Sequence, residues 1–134
     1  MNGIARGAGC RLGDSGDLAV AAEDTRFGVN GVNSGLFCST PMVALSRNIP
    51  RKHAFELLTT GEFLSAPKAA ALGLINHAVP AADLEAEATA LARKIADKLA
   101  VAVKIGKQAY YNQLEMPLGE AYAYTGAAIV ENML

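Results

Sequence analysis

Apolar residues change their spacing about a third of the way along the chain. Near the start they come in short blocks. Met1–Ala5 reads as the end of a strand, and Gly9–Ser15 as one short helix or turn. Asp17–Ala22 and Thr25–Val29 are compact apolar runs bounded by polar residues, which fits buried strands. Residues 30–40 (NGVNSGLFCST) have loop chemistry. Thr40-Pro41 then reads as an N-cap followed by proline at the first helical position, opening a helix to Asn48 that Pro50 ends.

From Arg51 the helical period dominates. Ala54, Leu57 and Leu58 recur at i, i+3, i+4, with Gly61 as the stop. Ser65 caps a short helix that Gly73 ends, and Leu74–Val79 reads as a last short strand. Residues 81–99 form the clearest amphipathic pattern, with Leu84, Ala88, Leu91, Ala92, Ile95 and Leu99 on one stripe. Residues 101–114 and 118–134 predict two further helices, split at Met116-Pro117. The class is α/β, a sheet region followed by a helical tail, with residues 1–80 as the core region and 81–134 as the helical region.

Composition narrows the functions. A chain of 134 residues with net charge −1 fits one domain able to bury a core. The balanced charge excludes a nucleic-acid footprint. No apolar run approaches a membrane span or has the form of a secretory leader, so no membrane association is expected. Cys10 and Cys38 lack metal-ligand spacing, so no metal is expected and both thiols read as free in a reducing compartment.

One stretch suggests chemistry. Gly7-Ala8-Gly9 lies between a strand-like run and a run able to be helical. It reads either as a tight turn or as a place where helix-start amides and the helix dipole meet an anion or developing oxyanion.

The motifs that follow favour the second reading. Asn2-Gly3-x-Ala5-x-Gly7-x-Gly9-Cys10, Asp17–Asp24 and Arg26-Phe27-Gly28 come first. Leu58-Thr59-Thr60-Gly61-Glu62, Ser65-Ala66-x-x-Ala69 and Gly73-Leu74-Ile75-Asn76-x-x-Val79-Pro80 follow in order. Together they resemble the enoyl-CoA hydratase/isomerase (crotonase) family along almost the whole chain. With Gly31–Pro41, the similarity is strongest to divergent hydratase-domain members. The resemblance implies a partial crotonase (ClpP-like) spiral of ββα units with a helical C-terminal tail. Family subunits are much longer than this chain, which therefore reads as an internal piece lacking the first oxyanion donor and much of the CoA-binding surface. An open sheet edge is then expected, together with a homo-oligomer (trimer or hexamer) or a complementary N-terminal half.

For function, the resemblance implies an acyl-CoA thioester as substrate, no separate cofactor, and a backbone oxyanion donor at Ala8. The implied location is the cytoplasm, or the mitochondrial matrix in a eukaryote. The family's two hydratase glutamates would fall at Arg11 and at position 30 or 31, occupied here by Asn30-Gly31 with Gly31 taken as the match, and the sequence has no carboxylate between Asp24 and Glu56. Hydration by paired glutamates is therefore not expected. Three outcomes stay open: oxyanion-hole chemistry of another kind, a non-catalytic pseudoenzyme that binds acyl-CoA or a protein partner, or a fragment acting only through a complementary partner chain. Gly7, Gly9, Asn30, Asn33, Phe37 and Cys38 are the candidate substrate-binding residues. Cys38 reads either as a nucleophile or as a buried structural thiol. Arg11 reads either as a ligand for a substrate anion or as a partner of Asp14 or Asp17. Asp24 and Arg26 are expected to pair at a turn, His53 to be solvent-facing, His77 to face out or satisfy a backbone group, and Lys104 and Lys107 to lie on a solvated face or reach CoA phosphates.

Overall fold

The computed structural model describes residues 1–7, 9, 10, 13 and 16–134. Two compact units divide the chain, Met1–Ala88 and Thr89–Leu134.

The first unit carries the strands. β1 (Ile4–Arg6) runs parallel to β3 (Arg26–Gly28), and β3 runs antiparallel to β4 (Phe63–Ser65). β2 (Val20–Ala22) pairs in parallel with β5 (His77–Val79). The strands are shorter than the sequence predicts: only three residues of each run join a ladder, Val20–Ala22 of 17–22, Arg26–Gly28 of 25–29 and His77–Val79 of 74–79. Phe27 sits opposite Leu64, and both are buried. On the other side of this ladder the Phe63 ring covers Gly28, where a Cβ would stand 2.7 Å from the ring. The Arg26 guanidinium lies 5.0 Å from the centre of that ring. Arg26 therefore makes a cation–π contact where the sequence predicts a turn pair with Asp24, because strand pairing carries its side chain toward Phe63.

Helices close over this sheet. α1 (Ser39–Asn48) contributes the fully buried Leu45, and α2 (Arg51–Thr60) contributes Ala54, Leu57 and Leu58. The N-cap of α1 is Cys38, without a side-chain cap bond, and not Thr40 as the sequence predicts. Pro41 is accommodated in the first turn because amides there have no intrahelical acceptor to lose. Pro50 separates α1 from α2 as predicted, and α2 stops at Gly61 with φ +67°. α3 (Ala66–Leu72) is capped by Ser65, whose Oγ accepts from the Lys68 amide at 3.3 Å. The core gathers Phe27, Val29, Leu45, Leu58, Leu64 and Ile75. Thr25, buried among these elements, donates from Oγ1 to the Met1 carbonyl at 3.3 Å.

A short 3₁₀ turn, Ala81–Asp83, precedes α4 (Leu84–Ala96), so the long amphipathic stretch is regular only from Leu84. In the second unit α5 (Ala100–Gln113) packs on α6 (Leu118–Met133), and Asn112 Nδ2 donates to Tyr124 Oη at 2.9 Å. Many of this unit's large apolar side chains face outward: Leu99, Leu118, Tyr122 and Met133 are each more than 70% exposed.

Candidate functional site

The two stretches singled out in the sequence leave the same end of the sheet. β1 and β3 are parallel, with Arg6 opposite Gly28, so their C-terminal ends lie side by side. The Gly7 amide donates to the Gly28 carbonyl at 2.9 Å, carrying the pairing one residue past β1. In sheets of parallel strands, ligands bind outside such carboxyl ends. Gly7 has φ +53°, and a Cβ there would meet nothing within 4 Å. Its glycine is required by backbone conformation, not by close approach. Gly9 and Cys10 are helical, with Cys10 buried below and Gly9 exposed. Ala8 and Arg11, the expected oxyanion donor and the first glutamate position, lie outside the described residues, as does Asp14.

The second stretch is a closed loop. After the buried Val29, residues Asn30–Ser34 form a 3₁₀ helix that ends at Gly35. The Gly35 amide donates to the Val32 carbonyl at 3.2 Å, and the Leu36 amide to the Gly31 carbonyl at 3.0 Å. The Gly31 amide in turn donates to Cys38 Sγ at 3.3 Å. These bonds fold the segment 36–38 back over Gly31. A Cβ on Gly31 would lie 2.6 Å from the Leu36 carbonyl oxygen and 2.9 Å from Cys38 Sγ. Position 31, where the sequence places the second glutamate of a hydratase, therefore has no room for any side chain unless the Leu36 carbonyl or Cys38 moves.

The other candidates are distributed around this loop. Asn30 is half-buried. Asn33 Nδ2 donates to the Gly61 carbonyl at 3.4 Å, which ties the loop to the end of α2. Phe37 is 43% exposed, and its carbonyl accepts from the Ser39 amide at 2.8 Å. Cys38 is half-buried and, like Cys10, a free thiol. His77 is exposed, as expected. His53 is half-buried, which corrects the solvent-facing expectation: with Glu56, Glu62, Phe63, Leu64 and Lys68 it lines a small hollow on that flank of α2. Lys104 and Lys107 belong to α5, in the second unit. Among the described residues no group of acidic, histidine and cysteine side chains could hold a metal ion.

Sequence reasoning missed two features. The first is the Asn33–Gly61 tie. The second is a cleft of about 840 Å³ between α1 and α2, lined by Met42, Arg47, Arg51, Lys52, Phe55 and Leu58 among others. Its only sequence signal is a cluster of cations around Pro50 followed by Phe55, and charges at helix ends ordinarily read as solvated.

The family model for enoyl-CoA hydratase/isomerase matches residues 1–132. The chain belongs to that family. It is 49% identical over 133 residues to the mitochondrial enoyl-CoA hydratase domain-containing protein 3 of Homo sapiens, covering 99% of this chain and 44% of that protein. It is 33% identical to the short-chain-enoyl-CoA hydratase of Clostridium acetobutylicum, covering 98% of this chain and 51% of that enzyme. The crystal structure of an enoyl-CoA hydratase from Mycobacterium smegmatis superposes with a TM-score of 0.97 at 51% identity, over 100% of this chain and 52% of that one. The human structure superposes with a TM-score of 0.94 at 49% identity, over 98% of this chain and 52% of that one. The α/β fold is thus that of the crotonase family, and the chain spans about half the length of these relatives. The mammalian relatives are mitochondrial by name. Among the described residues no helix is long and apolar enough to cross a membrane.

Proposed function

We propose that the chain contributes the thioester-holding half of an acyl-CoA site, and that the site works without the paired glutamates of a hydratase. The Ala8 amide is the oxyanion donor in this reading, receiving the negative charge that builds on the thioester oxygen. One such pre-aimed donor is worth on the order of 3 kcal/mol in the transition state. The substrate is a coenzyme A thioester and no further cofactor takes part. The names of the relatives, which include a short-chain-enoyl-CoA hydratase, support the substrate class.

The observation that carries the reading is the wall over Gly31. The Leu36 carbonyl and Cys38 Sγ occupy the space into which a side chain at this position would grow. The sequence offers no other carboxylate between Asp24 and Glu56. General acid–base handling of water needs a titrating group within hydrogen-bond reach of the reacting atoms. Asn30 and Gly31 supply none.

The exposed apolar residues of α5 and α6 support assembly with further copies of the chain, since monomers seldom leave such side chains uncovered. The setting is one where acyl-CoA thioesters are handled, the cytoplasm or, in a eukaryote, the mitochondrial matrix.

Calorimetric titration with crotonyl-CoA, followed by a hydration assay at saturating protein, tests this reading. Binding with no hydration is the expected result. Hydration at ordinary hydratase rates overturns the reading of Gly31, and absence of any CoA-thioester binding overturns the reading that this chain holds the thioester.

A further inference from the structure

The cleft between α1 and α2 is polarised. Its cations, Arg47, Arg51 and Lys52, cluster at the junction around Pro50, where α1 ends and α2 begins. Met42, Ala54, Phe55 and Leu58 supply the apolar wall, with Phe55 65% exposed. Glu56 is the single carboxylate in the lining. The first turn of α2 contains no acidic residue and its N-cap makes no side-chain bond. The positive end of that helix dipole therefore adds to the cations instead of being neutralised. Arg47 donates one N–H to the Val43 carbonyl at 3.1 Å, one turn back along α1, which fixes it on the α1 wall of the cleft while Arg51 and Lys52 stand at the start of α2.

We propose that this cleft binds a fatty carboxylate. The head group rests on Arg47, Arg51 and Lys52, and the hydrocarbon chain lies along Met42, Ala54, Phe55 and Leu58. A volume of about 840 Å³ falls within the range of small-molecule sites. Charge disfavours one alternative, a two-fold contact between copies on this face, which would set Arg51 and Lys52 of one against the same cations of the other. A head-to-tail contact between copies is read out by sedimentation in the test below. The proposal stands apart from the thioester reading, because none of residues 30–38 lines the cleft.

The test is calorimetric titration of the chain with dodecanoate below its micellar concentration. Dodecanoate binds at one site per chain. The double variant Arg51→Glu/Lys52→Glu weakens it at least about tenfold. That variant keeps its fold, because acidic residues suit the first turn of a helix, and circular dichroism verifies this. Phe55→Ser, at an exposed position, also weakens binding. Crotonyl-CoA affinity is unchanged in both variants, so a failure here is distinguishable from a failure of the thioester site. Equal affinity for dodecyltrimethylammonium, or no effect of the double substitution, overturns the proposal. Much tighter binding of dodecyl phosphate overturns the choice of carboxylate. Uptake that appears only with a change in sedimentation coefficient assigns the cleft to self-association instead.

Discussion

The Gly31 amide donates to Cys38 Sγ at 3.3 Å, and this bond closes the loop from the inside. Sulfur accepts weakly, yet here it meets a half-buried backbone donor that gains from having a partner. The thiol thus has a structural task, whichever chemical role is asked of it.

Replacing that sulfur measures the task. Cys38→Ala leaves the Gly31 amide without its acceptor and is expected to cost about 1 kcal/mol in urea unfolding. Cys38→Ser restores an acceptor and should recover part of the loss. If Cys38 were a nucleophile, the serine variant would lose turnover while keeping stability. Retained crotonyl-CoA binding in both variants is the expected outcome.

Restoring the acid is expected to fail. Gly31→Glu must push the Leu36 carbonyl or the Cys38 side chain aside, and overpacking of this kind costs about 1–3 kcal/mol. Thermal unfolding should therefore show a lower Tm, and the hydration assay no gain. A variant that folds as well as the parent and hydrates crotonyl-CoA would show that the loop opens at little cost.

Two substitutions calibrate the frame that holds the loop. Leu45→Ala, at a fully buried position on α1, is expected to cost about 2–5 kcal/mol. Ser65→Ala removes the cap of α3 and should cost about 1 kcal/mol. Chemical denaturation compares both with Phe55→Ala, which as an exposed change should stay within about 0.5 kcal/mol.

Gly61→Ala combines two penalties. The position has φ +67°, and an added Cβ would collide with Asn33 Oδ1. The left-handed conformation alone costs an alanine about 1–2 kcal/mol. In the double variant Gly61→Ala/Asn33→Ala the collision disappears and only the conformational share remains. Tm values for the pair separate the two.

Much of this architecture was legible in the residues because local rules set it. Pro50, Gly61, Ser65 and Gly73 each mark a boundary through their own backbone preference or side-chain oxygen, and each stands where the pattern places it. The cap of α1 was not legible. Thr40-Pro41 is a sound local signal, but the Gly31–Cys38 closure starts the helix at Ser39, and a tertiary hydrogen bond outweighs a propensity. Arg26 illustrates the same limit, since its partner Phe63 is brought to it only by strand pairing. The absence of a side chain at position 31 was plain in the sequence. That the space is filled by a carbonyl 2.6 Å from the would-be Cβ required the folded loop.

The tie between Asn33 Nδ2 and the Gly61 carbonyl adds a second reason for glycine at position 61. The helix end demands a residue that turns left-handed, and any side chain there would also turn the Asn33 amide away from the carbonyl it bonds. These requirements arise from different neighbours, yet they converge on one codon. Drift at that codon would be penalised twice, so in a population of diverging sequences position 61 should outlast the loop chemistry it supports.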